Sequence, residues 1–426
     1  MITLIKNARL WTGYEDISNA CIILDGDRIT YAGKQLHAPA ISPYKTIDAK
    51  GGIVSPAFYS SHSHIAMSLM RGAGSDLPLM DWLGVVNPIE DRLDSEKVYI
   101  GSMLSCMELM RNGCVCFNDM YMFMDATAQA VNDSGIRAAI TRGIVRDQAL
   151  EENIRLYEKW NGKASGRIHV GFGPYAEYGC SESLYRKCIE EAAKRRTYIH
   201  THASETIAEV EQCKERHKGL TPIRLLNELG FFDIPNVVAH CVWADDEEIS
   251  ILAQKGAWVS HNPSSNAKLG SGIAPVAKML EHGVKVSLGT DGPASSNIQD
   301  MQSEMRLMAL LQKASQKDAS VMKAEACLKI ACENGANACT FRNAGVIRAG
   351  ADADLIIFDA KAENMLPVFD APSAIVYAAR GRNVTTTICA GNVVYENGTF
   401  PLFDTEAVLK KASRLFPCLL GDRETI

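Results

Sequence analysis

The sequence predicts an α/β protein: a (β/α)8 barrel of the TIM type, with a small β-sandwich-like domain formed by both termini. Three observations carry that prediction. Through the middle of the chain, short apolar segments alternate with amphipathic helical stretches, the pattern of strands paired in parallel beneath covering helices. About eight such units can be counted, the number that closes a barrel. Both ends of the chain instead read as short strands separated by Gly and Asp turns.

The elements follow in order. Residues 2–5, 21–24 and 29–32 form apolar runs, with a turn at Asp25-Gly26-Asp27. Residues 53–59, 115–118, 138–144 and 168–172 read as the first four barrel strands. Residues 197–199, 236–239, 257–259 and 284–288 read as the last four. Helical stretches at 184–196, 245–255 and 274–282 lie between the later strands, and one more ends near Gly230. Gly256 and Gly283 fall just past two of them, where a left-handed stop is expected. From 345 onward the strand style returns, at 353–358, 384–390 and 393–395. The expected domains are therefore 1–54 with 345–402 (small β domain), 55–344 (barrel) and 403–426 (C-terminal helical tail). Periodicity alone leaves a doubly wound open sheet as the alternative.

Composition narrows the function classes. The 426 residues are 47% hydrophobic and 22% charged, with a formal net charge of -6 and no Lys/Arg cluster. A nucleic-acid binder would carry a basic footprint, so a small-molecule substrate is expected and nucleic acid is not. No apolar run approaches the roughly 20 residues of a membrane helix, and the start lacks the ordered regions of a secretory signal. The 13 cysteines are odd in number and contain no CxxC pair, which suits reduced thiols in the cytoplasm. A homo-oligomer is compatible with all of this.

The strand ends carry the chemistry. They run into His62 and His64, His200 and His202, His240, His261 and Asp291, so six of the ten histidines lie there. In a (β/α)8 barrel those carboxyl ends border the face where active sites form. A lone histidine is usually a satisfied polar residue near a core; six placed in this way are not. His62 and His64, at i and i+2 of a strand, point to one face about 7 Å apart along the chain, so both can reach one cation. A third histidine and a carboxylate would complete a nitrogen/oxygen set suited to Zn2+, with Fe2+ and Ni2+ as alternatives. Glu205, three residues past His202, is either an acid at a helix N-terminus or a proton carrier for a departing amine. His240 could polarise the attacking water, and Asp291 could share its proton. No lysine ends a central strand to bridge two ions, which favours a single metal.

With those residues in place, the sequence resembles the 5′-methylthioadenosine/S-adenosylhomocysteine deaminases of the amidohydrolase superfamily, relatives of triazine chlorohydrolases and of cytosine and guanine deaminases. The likeness runs from Gly52-Ile53-Val54-Ser55-Pro56 and the His62/His64 pair through Asp76-Leu77-Pro78-Leu79-Met80-Asp81-Trp82-Leu83. It continues at Ala239-His240-Cys241-Val242, at Ser260-His261-Asn262-Pro263-Ser264-Ser265-Asn266, at Leu288-Gly289-Thr290-Asp291-Gly292 and at Gly350-Ala351-Asp352-Ala353-Asp354-Leu355. The resemblance implies a barrel with a small terminal domain. It assigns one divalent metal to His62, His64, His202 and Asp291, and the proton shuttle to Glu205 assisted by His240. It also implies that Trp82 lies against the base, that Glu90 accepts ribose hydroxyls, that Arg142 meets an amino-acid carboxylate and that Ser295 lines the pocket. Two departures bear on the substrate. Tyr175 stands where the family usually has a histidine, and the segment after Arg142 is short, with Arg146 the candidate to replace the second arginine that the family's longer loop often supplies. The expected activity is hydrolytic deamination of an aminopurine nucleoside or related amino-heterocycle, with release of ammonia. The alternatives are a triazine-type chlorohydrolase or aminohydrolase, and a catalytically silent ligand-binding relative.

Overall fold

The computed structural model describes residues 1–420. Its central feature is a set of parallel strands in two runs. Phe58–Ser63, Cys114–Tyr121 and Arg137–Ile144 pair side by side, and Arg137–Ile144 continues onto Ile168–Val170 and Gly173–Pro174. Ile199–Ala203, Asn236–His240, Trp258–His261 and Lys285–Leu288 form the second run. Backbone bonds join the runs at both seams: His200 N donates to Phe172 O (2.9 Å), and Asp291 N donates to His62 O (3.1 Å). An open sheet would leave two unpaired edges there. The parallel sheet is therefore curled, in the TIM-barrel-like manner, and its strands are buried along almost their whole length.

Local chemistry sets the helices between these strands. Asp245 accepts from Glu248 N while the Glu248 carboxylate accepts from Asp245 N, so Asp246–Lys255 begins with a reciprocal cap. Gly256, at φ 63°, ends it in the left-handed conformation that glycine adopts without strain. The helix Glu182–Arg195 ends differently from expectation: Arg196 takes the left-handed turn (φ 52°) and Thr197 N bonds back to Ala192 O. Those bonds hold Thr197 to the helix, so the following strand begins at Ile199 and reaches Ala203, rather than spanning 197–199.

The outer strands assemble into one eight-stranded sheet from both ends of the chain. Ile2–Trp11 lies antiparallel to Asp16–Asp25 and parallel to Lys45–Asp48 and Ile53–Pro56. Ile53–Pro56 in turn pairs with Leu355–Phe358, which leads to Val384–Cys389 and Asn392–Glu396. Ile5, Leu10, Ile22, Leu24 and Leu355 are among its apolar side chains, packed as a cluster separate from the barrel core. The single strand expected over 53–59 is in fact two. Pro56 has no N–H for a ladder, and Ala57 N donates to Asp354 O. The chain changes partners there: Ile53–Pro56 stays in the terminal sheet and Phe58–Ser63 enters the barrel. A helix, Thr405–Leu420, lies within the expected C-terminal tail, whose residues 421–426 fall outside the described residues. Among the described residues no helix is long and apolar enough to cross a membrane.

Candidate active site

The strand ends converge on one small volume. His62 Nε2 and His64 Nε2 each lie 3.4 Å from Asp291 Oδ1, and His202 Nε2 lies 3.3 Å from His64 Nε2. Two overlapping groups of close donors result, His62/His64/Asp291 and His62/His202/His240. In each histidine the other ring nitrogen is tied down. His64 Nδ1 meets Met120 O (2.6 Å), His202 Nδ1 meets Tyr175 O (2.6 Å), and His62 Nδ1 meets His200 Nε2 (2.9 Å). A carbonyl partner forces a proton onto Nδ1, which leaves Nε2 as a lone pair turned inward.

These donors fit a divalent cation. His62 Nε2 is fully buried and has no hydrogen-bond partner, which is costly unless another group meets it. A tetrahedral site with nitrogen bonds of about 2.0–2.1 Å has edges of about 3.3–3.4 Å, and the three spacings above are 3.3 to 3.4 Å. Burial pulls the His62, His64 and His202 imidazoles down, toward the neutral form that can ligate. Burial alone would push the Asp291 carboxyl up, but the imidazoles around it hold it well below the usual range, so it is an anion. Asp291 sits at φ 57° and His240 at φ 73°, strained backbone for non-glycine residues, as is common where side chains are held for function.

Glu205 and His240 face the same volume. His240 Nε2 lies 3.7 Å from Glu205 Oε2, and its Nδ1 meets Asn266 Oδ1 at 2.8 Å. Burial raises the Glu205 carboxyl, with His240 opposing the rise. For His240, burial pulls the imidazole down, and the nearby Glu205 and Asp291 carboxylates more than offset it. Glu205 is not a helix-capping acid. That task falls to Glu209, which completes a capping box with Thr206 and accepts from Ser204 N (3.0 Å) and Glu205 N (2.7 Å). Glu205 is left free to point inward, where Ser271 Oγ donates to its Oε1 (3.4 Å).

A cavity of about 1020 Å³ opens from this cluster, and every sequence-predicted substrate residue borders it: Trp82, Glu90, Arg142, Tyr175 and Ser295. Trp82 is buried, with Nε1 unpartnered. Glu90 accepts from Tyr121 Oη (2.6 Å), and loss of hydration pushes its carboxyl up to about 7. Ser295 Oγ also donates to Asp291 Oδ2 (3.0 Å). The Tyr175 ring lies 4.9 Å from that of His202. Arg142 reaches the cavity with its guanidinium already engaged by Glu152.

The amidohydrolase family pattern matches residues 53–394. The chain belongs to the amidohydrolase family. It is accordingly an enzyme acting on C–N bonds. A 5-methylthioadenosine/S-adenosylhomocysteine deaminase of Dictyoglomus thermophilum is 43% identical over 86% of this chain and 88% of its own length. A 5′-deoxyadenosine deaminase of Methanosarcina acetivorans is 41% identical over 96% of each chain. Among solved structures, an adenosine deaminase from Xanthomonas campestris with bound zinc superposes with a TM-score of 0.94 at 28% identity, covering 98% of each chain.

Several groups that contact the site of this amidohydrolase escape a reading of strand ends. Asn266, Ser271 and Glu209 lie on helices and loops, and the carbonyls of Met120 and Tyr175 have no side-chain signature. His200 was visible as one of the six histidines. Two residues before His202 it shares that strand, and its role as the partner of His62 comes only from the closed ring.

Proposed function

We propose that this amidohydrolase removes the exocyclic amine of an adenosine-like nucleoside as ammonia, with one Zn2+ held by His62, His64, His202 and Asp291. The observation that carries the reading is Glu205 beside His240 at the mouth of a four-donor cluster. The near-full-length similarity to deaminases of adenosine derivatives supports it. A divalent cation held there would supply Lewis-acid activation of a water at neutral pH. Glu205 Oε2 would take a proton from the attacking water and deliver it to the ring nitrogen, while the oxygen adds to the ring carbon that bears the amine. The second proton, from the hydroxyl of the adduct, passes through Glu205 to the amine; the C–N bond breaks, nitrogen leaves as ammonia and the added oxygen becomes the carbonyl. Water is consumed, and one amine is replaced by one carbonyl. His240 orients the attacking water and stabilises the charge that builds on it, and Asn266 fixes its ring. Trp82 covers the base, Tyr175 contacts it, Glu90 receives ribose hydroxyls, and Ser295 steadies Asp291 at the pocket wall.

A proton carrier beside the leaving group favours amine over chloride departure, since chloride leaves unprotonated. The complete donor set argues against a silent binder. We also propose that residues 1–54 and 345–402 form a small β-sandwich-like domain flanking a (β/α)8 barrel at 55–344, with residues 403–426 as a C-terminal helical tail. Thirteen free cysteines, twelve of them buried, support a reducing, cytoplasmic setting. Purified, metal-quantified protein should release ammonia from methylthioadenosine, 5′-deoxyadenosine or adenosine, measured beside chloride release from a chlorotriazine. Chloride without ammonia would overturn the reading.

A further inference from the structure

The cavity has a region away from the histidines, bordered by the helix Asp147–Trp160 and by the loop after Tyr121. Its wall there is largely apolar, with Met122, Phe123, Met124 and Leu156. Its charged groups are Arg142, Arg146, Glu152 and Asp125. Asp125 is held by Lys159 Nζ (2.6 Å) and Trp160 Nε1 (2.7 Å). Arg146 is exposed, and an exposed ion pair contributes little.

Arg142 is the half-buried cation, and two of its three nitrogens are already engaged. Its Nε donates to Glu152 Oε2 (2.8 Å), and its Nη1 donates to Gly143 O (2.7 Å) and, more weakly, to Tyr121 O (3.5 Å). A guanidinium grips a carboxylate through two parallel N–H bonds, from either the Nε/Nη2 edge or the Nη1/Nη2 edge. Each edge of Arg142 has one nitrogen occupied, so neither offers a free fork. The charge of Glu152, on the cavity wall, would also repel an incoming carboxylate.

Resting on the deaminase reading above, we propose that Glu152 is a specificity-determining residue: by holding Arg142, it selects adenosine derivatives with a small, uncharged 5′ substituent over those with an amino-acid tail. A 5′-methylthio or 5′-deoxy group needs only the apolar wall. A homocysteine tail brings a carboxylate that must displace Glu152 to reach the arginine.

The test is kcat/KM for methylthioadenosine, 5′-deoxyadenosine and S-adenosylhomocysteine, in the wild type and in Glu152→Gln. The wild type should prefer the two neutral substrates. In Glu152→Gln the ratio of S-adenosylhomocysteine to methylthioadenosine efficiency should rise roughly tenfold or more, as a like charge is removed from the tail's path. In the double variant Glu152→Gln/Arg142→Gln that gain should vanish. Because the readout is a ratio within one preparation, partial loss of folded protein cancels. An unchanged ratio overturns the inference, and a fall does so too, by showing that Glu152 binds the tail's ammonium. Absence of turnover on all three nucleosides would instead overturn the deaminase reading and this inference with it.

Discussion

Glu205 and Glu209 lie four residues apart, and burial raises both carboxyls, yet their surroundings give them different tasks. Glu209 is saturated by backbone N–H groups, whereas Glu205 faces an imidazole and the donor cluster. Glu205→Gln keeps the shape and removes the proposed proton carrier. It should lower kcat by about 10²–10⁴-fold while the metal per chain, read by elemental analysis, stays unchanged. Loss of metal along with activity would make Glu205 a structural support. Glu90 carries a pH signature. Its carboxyl, pushed up to about 7 by burial, is protonated below that pH and ionised above it. Only the anion accepts from two ribose hydroxyls at full strength. KM for a nucleoside should therefore fall as pH rises through about 7, and Glu90→Gln should flatten that dependence. At this scale the sequence was informative where chemistry is written into the residue type. Six histidines and Asp291 at strand ends imply a cation site. Which atom holds each ring in place, a carbonyl of Met120 or the amide of Asn266, depends on packing between distant segments and leaves no mark in the residue order.

The turn from Ser204 to Glu209 shows how an element aims a side chain. Ser204 takes a left-handed φ of 52°, and Glu209 gathers the N–H groups of Ser204, Glu205 and Thr206 onto one carboxylate. Glu209→Ala leaves those donors without their acceptor in a buried setting. Stability should fall by about 1–3 kcal/mol in urea titration, the cost of unsatisfied buried groups. As the Glu205 backbone loosens, kcat should drop more than KM rises, and Glu209→Gln should restore part of both. A fall in stability with kcat unchanged would separate the cap from the aiming of Glu205. Elements announced by local chemistry were the legible ones. Asp245 at a helix start and Gly256 at its end mark Asp246–Lys255 to within a residue. The boundary inside 53–59 is marked only by Pro56, which can also close an edge strand, because the residues around it are apolar or small and suit a strand. Only the partners on either side of Pro56 reveal two strands, Leu355–Phe358 for the first and Cys114–Tyr121 for the second, and both are remote in the chain.

At the scale of the molecule, the terminal sheet and the barrel are locked by one buried charge cluster. Arg137, on the third barrel strand, and Asp354, at the edge of Leu355–Phe358, are 217 positions apart in sequence, and their Nε and Oδ2 atoms lie 2.8 Å apart. Both are almost fully buried, at 5% and 1% exposure. Tyr59 Oη also donates to Asp354, as does Ala390 N (2.6 Å). The run Gly350 to Leu355 was conspicuous in the sequence, but nothing local shows that its second aspartate neutralises an arginine of the barrel. A buried pair adds little over an apolar pair of the same volume, whereas breaking one strands a charge and costs about 3–5 kcal/mol. Asp354→Asn should therefore lower the unfolding midpoint strongly. The loss should fall toward the lower end of that range, because Asp352 Oδ2 stays 3.2 Å from Arg137 Nη2. Arg137→Met combined with Asp354→Asn removes the stranded charge and should be more stable than Asp354→Asn alone. Equal or greater loss in the double variant would mean that the arginine stabilises the junction through packing on Phe341, whose ring lies 5.0 Å from its guanidinium carbon. In either variant kcat/KM per folded chain should hold near the wild-type value, because no residue of this cluster borders the cavity.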